Sequence, residues 1–596
     1  MAFHSLAIGT SALLTARYGL DITGQNLGNI DTPGYARQRL TQNATLGWNA
    51  GLNNAVVGTG VGIKSIKRVA NEYVEKQLRM ATSTDVHYGN LRNCYSNVQS
   101  FFNEPASGNA ISDAMNSFWD GLADLSGAVE NVPIRVTALN NAEAMTMRFN
   151  RIAEQLDTYR TTVNEEVRES VYQISRLLGE IGQLNSAIVA TEMGGSTGMM
   201  ANDLRDQRGE AIKELYTYMD IDVVEEPNGS AIVSVHGRTL VYFDQVSAIE
   251  MEQRLSNGLQ VAMPIFASDR YPLEPKDGQL AAQIEIRDEI LLSYMDELDK
   301  LAGTFIWEFN RAYSQMRGLK SFDSITSQNP PLNPEATLDK LVFNDKITPG
   351  TFKIVNGEFE LIIENRNTTP PVETTINIEI DLDGRLAPGG EPDMILWDPN
   401  NPEASNSLIN RLQKALDDAA PGVFEVSIGR DYRVSIKSKS NGYGFAFGKD
   451  SSGVVAAFGL NVMFTGHNAQ NMGINKSLKD TPEYVACAYS FREGDNDGLM
   501  DLIALRDAKV VAGKGMTLDE YYQSVAGRLG SEANRTANLK DLQEDILHRM
   551  FVQREEVSGV SEDEETAKLI AYQRAFQAAA KYISIVDVLY ETLINM

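Results

Sequence analysis

LAIGTSALLTARYGLDITGQNLGNIDTPGYARQ, residues 6–38, is the stretch whose reading decides the architecture. Leu6, Gly9, Leu13, Ala16, Leu20, Thr23, Leu27 and Ile30 alternate steps of three and four, a heptad seam in which large and small residues take turns. The spacing predicts a helix with one narrow apolar ridge. It stops at Asp31-Thr32-Pro33-Gly34, where proline disfavours helix in the residue before it and glycine permits a turn.

The other end of the chain is written in the same way, with Leu569, Tyr572, Phe576, Ala579, Ile583, Val586, Tyr590 and Leu593 keeping the spacing. Its start reads as a capping box, Ser561 as N-cap and Glu564 reaching back, with acidic residues that suit the helix dipole. One such stripe ordinarily packs on its own domain. Two matching seams at opposite ends predict helices that pack on each other in a coiled-coil-like inner domain and leave apolar surface for neighbouring subunits. Burying one leucine contributes roughly 1.5–3 kcal/mol, so a handful per helix offsets the ordering once assembled.

A chain of 596 residues is too long for one core, so several domains are expected. A formal charge of −27 sets it against a phosphate backbone and excludes nucleic acid as the expected partner. Cys94 and Cys487 stand in no CxxC pair, and two buried free thiols are expected. The first residues lack a basic and then apolar leader, and no run of about eighteen apolar residues occurs, so neither a Sec-type signal nor a membrane span is expected.

Between the ends, helical periodicity runs over Asn71 to Phe102, Ile111 to Leu125 and Pro133 to Ala190, the last punctuated by Gly194-Gly195-Ser196. A short helix around Asp203 to Tyr218 gives way to strand-like runs at 221–224, 231–235 and 239–243, with Asn228-Gly229 as a hairpin turn. Helix returns from Asp277 to Met316. A proline-rich linker at 329–334 opens an insert with strands at Thr351 to Val355, Phe359 to Ile363 and Thr375 to Asp381, a helix at Ser407 to Asp418, and strands at Phe424 to Ile428 and Tyr432 to Ser438. Helices over Gly498 to Val511 and Thr517 to Val557 close the body. The expected fold is mainly α with β-rich, α+β inserts in four parts: an inner domain of 1–45 plus 558–596, a helical rod-like domain of 46–220 plus 277–323 plus 470–557, a small β subdomain of 221–276, and an outer insert of 324–469.

Tests for site chemistry fail one by one. Glu493-Gly494-Asp495-Asn496-Asp497-Gly498 imitates half an EF-hand loop, but Ala504 stands where a bidentate glutamate is required. Asp381-Leu382-Asp383-Gly384 reads as a hairpin turn and Gly58-Thr59-Gly60-Val61-Gly62 as a flexible β-turn segment, without a dinucleotide fingerprint. Ala512-Gly513-Lys514-Gly515 lacks the upstream glycine of a P-loop, and the five histidines are scattered. No catalytic residue, cofactor or metal ligand is expected, and no enzyme.

Gly24-Gln25-Asn26-Leu27-Gly28-Asn29-Ile30-Asp31-Thr32-Pro33-Gly34-Tyr35-Ala36-Arg37-Gln38 resembles the N-terminal motif of the flagellar axial proteins. Ser558-Gly559-Val560-Ser561-Glu562-Asp563-Glu564-Glu565 with Tyr572-Gln573-Arg574-Ala575-Phe576 is similar to the hook-associated branch of that family. So are Phe118-Trp119-Asp120-Gly121-Leu122, Asn202-Asp203-Leu204-Arg205-Asp206-Gln207-Arg208 and Gly494-Asp495-Asn496-Asp497-Gly498-Leu499. The 324–469 insert is similar to small β modules inserted in flagellins. The resemblance implies an extracellular structural part of the flagellum between hook and filament, exported by the flagellar type III apparatus without a cleaved signal. Its implied partners are further copies in a ring, hook protein, another hook-associated junction protein, and an export chaperone on the C-terminal helix. Leu6, Leu13, Leu20, Leu27, Ile30, Leu569, Tyr572, Phe576, Ile583, Val586, Tyr590 and Leu593 would polymerise, while Asn26, Asn29, Thr32, Pro33, Gly34, Tyr35, Ser558 and Gly559 would act as joints. A hook or rod protein is the alternative within the class, which the long 133–190 helix and the Ser-Gly-Val motif disfavour. A secreted adhesin or enzyme with flagellar-type ends is the alternative outside it.

Overall fold

A computed structural model describes the chain except residues 1, 33–34, 50–55, 103–109, 195–200, 345–347, 383–393, 399–403, 405, 491, 493, 512 and 596. Pro33, Gly34, Gly195, Ser196, Asp383, Gly384, Glu493 and Ala512, all used in the sequence reading, lie outside the described residues.

Helix α1 (Ala2–Gly28) leads into β1 (Gln38–Ala44), a short ladder of β2 (Trp48–Asn49) with β3 (Val56–Val57), and β4 (Val61–Arg68), which pairs antiparallel with β1. Helices α2 (Glu72–Phe102), α3 (Ile111–Ser126), α4 (Val132–Gly194) and α5 (Asn202–Tyr218) follow. Pro133 sits in the first turn of α4, where its missing N–H would have had no partner. Strands β5 (Asp222–Glu225), β6 (Ala231–Val235), β7 (Arg238–Tyr242) and β8 (Gln245–Val246) form an antiparallel meander, and β9 (Ile249–Ser256) and β10 (Leu259–Phe266) a hairpin. Helix α6 (Gln279–Glu285) passes through a π-helical turn, 286–290, into α7 (Leu291–Tyr313).

The insert holds β11 (Ser324–Thr326), β12 (Gly357–Asn365), β13 (Val372–Ile380), α8 (Leu408–Ala419), β14 (Phe424–Ile428), β15 (Val434–Ser438), β16 (Tyr443–Asp450) and α9 (Val454–Phe458). Then come β17 (Phe464–Thr465) with β18 (Gly473–Ile474), α10 (Lys476–Asp480), α11 (Asp497–Ala504), α12 (Leu518–Ser558) and α13 (Glu562–Ile594). Among the described residues no helix is long and apolar enough to cross a membrane.

Contacts gather the chain into two units, 1–94 with 161–288 and 533–596, and 95–160 with 289–532. This grouping differs from the four parts expected, because its boundaries fall inside α2, α4, α12 and the π-helical turn rather than in linkers. In the first unit, Val167, Ile174, Leu178 and Ile181 of α4 share one core with Ile212 and Leu215 of α5 and with Val233, Leu240 and Val241 of the meander. The 221–276 strands thus bury their apolar face on α4 and α5. Asn185 ties the layers together: its Nδ2 donates to the carbonyls of Ala231 and Phe243, both at 2.8 Å, and its Oδ1 accepts from Ala231 N and from Arg208. Gly229, at φ +89°, makes the Asn228-Gly229 turn.

The second unit is centred on packed aromatic rings: Phe118, Phe305, Phe309 and Phe464, with ring centroids 5.0–5.8 Å apart. Its sheets place β12 between β13 and β16, and β15 between β11 and β14. The strand expected at Thr351 to Val355 is absent. Gly350 and Phe352 both take positive φ, and the Thr351 amide and hydroxyl turn back to the Thr348 carbonyl, so the segment coils before β12 begins. The helix expected to reach Val511 closes after Asp507 in a 3-10 turn, with Ala508 extended. Strands β9, β10 and β16 and helix α9 are additions. Cys94 and Cys487 are both buried, and neither is in a disulfide.

His467 lies buried against Phe352, centroids 4.7 Å apart, and its Nε2 meets no hydrogen-bond partner. Burial holds its pKa down at about 4. A depressed histidine contributes stability above its unfolded value of about 6.5 that is lost as pH falls toward the folded value. We expect roughly 2–3 kcal/mol of stability to disappear between pH 7 and pH 4 in the wild type and to be largely retained in His467→Gln. Denaturant melts of the two proteins across that range check this; equal acid sensitivity would contradict it.

Candidate subunit interface at the terminal helices

Helices α1 and α13 pack antiparallel along most of their length. A Cβ at Gly9 would lie 2.7 Å from Ile583, one at Gly19 2.5 Å from the ring of Tyr572, and Asn26 bonds Glu565. The side chains divide by size. Helix α13 brings bulk to the contact, with Leu569, Tyr572, Phe576, Ile583 and Tyr590 part-buried and Ala579 and Val586 buried. Helix α1 answers with Gly9, Thr15, Ala16, Gly19, Ile22, Thr23 and Asn26, all buried. The Thr15 and Thr23 hydroxyls donate back to the carbonyls of Ser11 and Gly19, so neither is left unbonded.

The buried line on α1 is therefore turned toward the small members of the heptad seam. Leu13, Leu20 and Leu27 lie on its flank, part-buried, and Leu6 and Ile30 are exposed. Further large apolar residues face outward: Leu14 and Tyr18 on α1, and Ile570, Ile585, Val588 and Leu589 on α13, the last 61% exposed. Leu593 lies in α13, but its side chain is outside the described residues.

Where the two helices meet the rest of their unit, Asn26 uses its whole hydrogen-bonding capacity while fully buried. Nδ2 donates to the Gln38 carbonyl at 2.9 Å and to Glu565 at 3.0 Å. Oδ1 accepts from the Tyr35 hydroxyl at 2.8 Å and from Gln38 N at 2.9 Å. One amide thus joins the end of α1, the first residues of β1 and the first turn of α13. Burial, then Asp206, Asp203 and Glu565, push the Tyr35 phenol up to about 12, so it stays protonated and can donate. Asn29 and Thr32 shape the turn between: Asn29 bonds the Gln25 carbonyl, and the Thr32 amide and hydroxyl bond Asn29.

On the other strand of the junction, Ser558 is buried and its carbonyl accepts from Arg37 N at 3.0 Å, while Gly559 N bonds the Glu555 carbonyl. A Cβ at Gly559 would stand 2.4 Å from that carbonyl, which is why glycine is required. Arg37 pairs with Glu564 at 2.7 Å, Arg554 bonds Glu75 and the Tyr35 carbonyl, and Ser561 caps α13 through Glu564 N. Gln38, Arg37 and Glu565 stood in the quoted motifs without an assigned role, and Arg554 was not singled out at all. Only the acidic first turn of α13 hinted at Glu565, and nothing local marks a carboxylate that will be buried against an amide 539 residues away.

Residues 95–321 match the family described as flagellar hook-associated protein FlgK helical domain, and residues 553–596 the flagellar basal body rod FlgEFG protein C-terminal family. Flagellar hook-associated protein 1 of Bacillus subtilis is 22% identical over 100% of this chain and 98% of its own length. Its namesake of Salmonella typhimurium is 23% identical over 98% of each. Over its full length the chain is similar to flagellar hook-associated protein 1. A solved structure of the flagellar hook junction protein FlgK from Burkholderia pseudomallei covers 81% of this chain and 100% of its own, at 13% identity and a TM-score of 0.48, below the level from which a shared fold follows. In this chain the Asn26 cluster fixes how the terminal pair leaves its unit.

Two substitutions probe the pair. Asn26→Ala strips partners from the buried Glu565, Tyr35 and Gln38 and should cost roughly 2–4 kcal/mol, read as loss of amide-exchange protection in α1 and the first turns of α13. Gly19→Val should open the helix pair near Tyr572 while leaving the aromatic core of the second unit folded, so near-UV circular dichroism should hold while α1 protection falls. Unchanged protection in both variants would mean that the helices do not depend on this contact.

Proposed function

We propose that this protein is a structural component of the bacterial flagellum that connects hook to filament. The full-length match to relatives named flagellar hook-associated protein 1 carries the reading. The terminal helices support it: they are closed on each other through small residues yet keep rows of large apolar side chains facing out, more than an isolated chain needs. Polymerisation would run through Leu6, Leu13, Leu20, Leu27 and Ile30 on α1 and the outer face of α13. Copies would form a ring whose neighbours are hook protein on one side and another hook-associated junction protein on the other. Before assembly an export chaperone would cover the C-terminal helix, and the chain would leave through the flagellar export apparatus to work outside the cell. The role is mechanical rather than catalytic: the same pair of helices meets two different lattices, held at a defined angle by the Asn26 cluster.

Deleting the gene should leave hooks without filaments and flagellin free in the medium, visible by electron microscopy and immunoblot; filaments of normal number would refute the role. Leu20→Asp and Leu589→Asp, returned to the deletion strain, should each fail to restore filaments while the purified chains keep their helical content, because a charge buried without a partner at the assembled interface is costly.

A further inference from the structure

Helix α13 has a second stripe on the side turned away from α1. Ile570, Arg574, Ala578, Lys581, Ile585 and Val588, again three and four apart, are all exposed. From Thr566 to Val586 the helix carries three cations and no acid, in a chain whose net charge is −27. Lys568 is held by Glu565 at 2.7 Å, whereas Arg574 and Lys581 have no ion-pair partner among the described residues. The stripe is apolar at both ends and basic in the middle.

The same unit contains a surface that is net acidic, lined by eight carboxylates and four Lys or Arg side chains. A groove of about 1070 Å³ opens between α12, α2, α5 and the turn after α1. Along α12 it presents Asp541, Glu544 and Asp545 and then Phe551, which is 51% exposed; Ile30 and Leu547 add apolar wall. Asp541 and Glu544 reach Arg92 and Lys540 only at 3.7 Å, and Asp545 has no ion-pair partner among the described residues. Acidic positions one turn apart followed by an exposed ring complement a helix face that runs from cations to isoleucine and valine.

We propose that the outer stripe of α13 docks into the α12 groove of a second copy of this chain, with Arg574 and Lys581 against Asp541 and Asp545 and the apolar end of the stripe against Ile30 and Phe551. This rests on the reading of the protein as a polymerising flagellar component and assigns one donor surface and one acceptor surface to it. Both lie in the first unit, so each copy offers one of each. A contact between unlike surfaces repeats from copy to copy instead of stopping at a pair, which is what a ring requires.

Charge exchange tests it in cells. In the deletion strain, Arg574→Asp alone and Asp545→Arg alone should each lower filament number severalfold, and the two together should restore most of it. Single variants at wild-type level, or a double variant no better than the singles, would overturn the proposal. Cysteine placement identifies the partner: flagella assembled from Arg574→Cys/Asp545→Cys protein and oxidised should yield bands at twice the chain mass and above on non-reducing gels. No such band, or a cross-link only to a different flagellar protein, would also overturn it. Failure of the hook-to-filament reading itself would be seen separately, as normal filaments in the strain lacking the gene.

Discussion

The arrangement depends on a difference in side-chain size between two helices. Helix α1 presents glycine, alanine and threonine to α13, and α13 presents tyrosine, phenylalanine and isoleucine in return. Close approach of this kind maximises dispersion contact and keeps the larger residues of α1, the leucines, off the shared line. The leucines are thereby left at the flank. Had they filled the pair, they would be buried in it; because glycine fills it, apolar surface remains exposed.

That constraint explains why the buried polar cluster stands where it does. A smooth pairing surface gives affinity but little definition of angle, and an amide bonded on every side supplies it. Asn26 reads Gln38 through both backbone groups, Tyr35 through its hydroxyl and Glu565 through its carboxylate. Arg37, Arg554 and Ser558 brace the adjoining backbone. The segment expected to act as a joint is, on its described residues, tied by hydrogen bonds on both strands.

Much of this was legible in the sequence and some was not, for separable reasons. Spacing of three and four located α1 and α13 within a residue or two, because amphipathic period is a local property. The seam on α13 coincides with its buried line, whereas on α1 the same rule overrated the leucines, since hydropathy does not say that a partner will demand small residues. The β9–β10 hairpin was passed over although Asn257-Gly258, both at positive φ, is a strong turn signal; polar residues on its open face masked the alternation. Gly60, read as part of a flexible turn, instead lets β4 approach α1, where a Cβ would fall 2.3 Å from the Ser11 hydroxyl. Glu565 and Gln38 had no signature, because their roles exist only once the two ends of the chain meet.

The pair is keyed along its axis by its glycines, which stand where Tyr572 and Ile583 of α13 come closest. Sliding α1 by one turn would bring Thr15, Ala16, Ile22 or Thr23 under the Tyr572 ring in place of Gly19, where even a methyl group would fall 2.5 Å from the ring. The Asn26 to Glu565 bond would not survive such a slide either, because Ile22 and Thr23 stand one turn back on α1. The glycine fit and the buried amide therefore work together as a detent: they select one axial setting, and with it the height of every outward-facing apolar side chain on the pair.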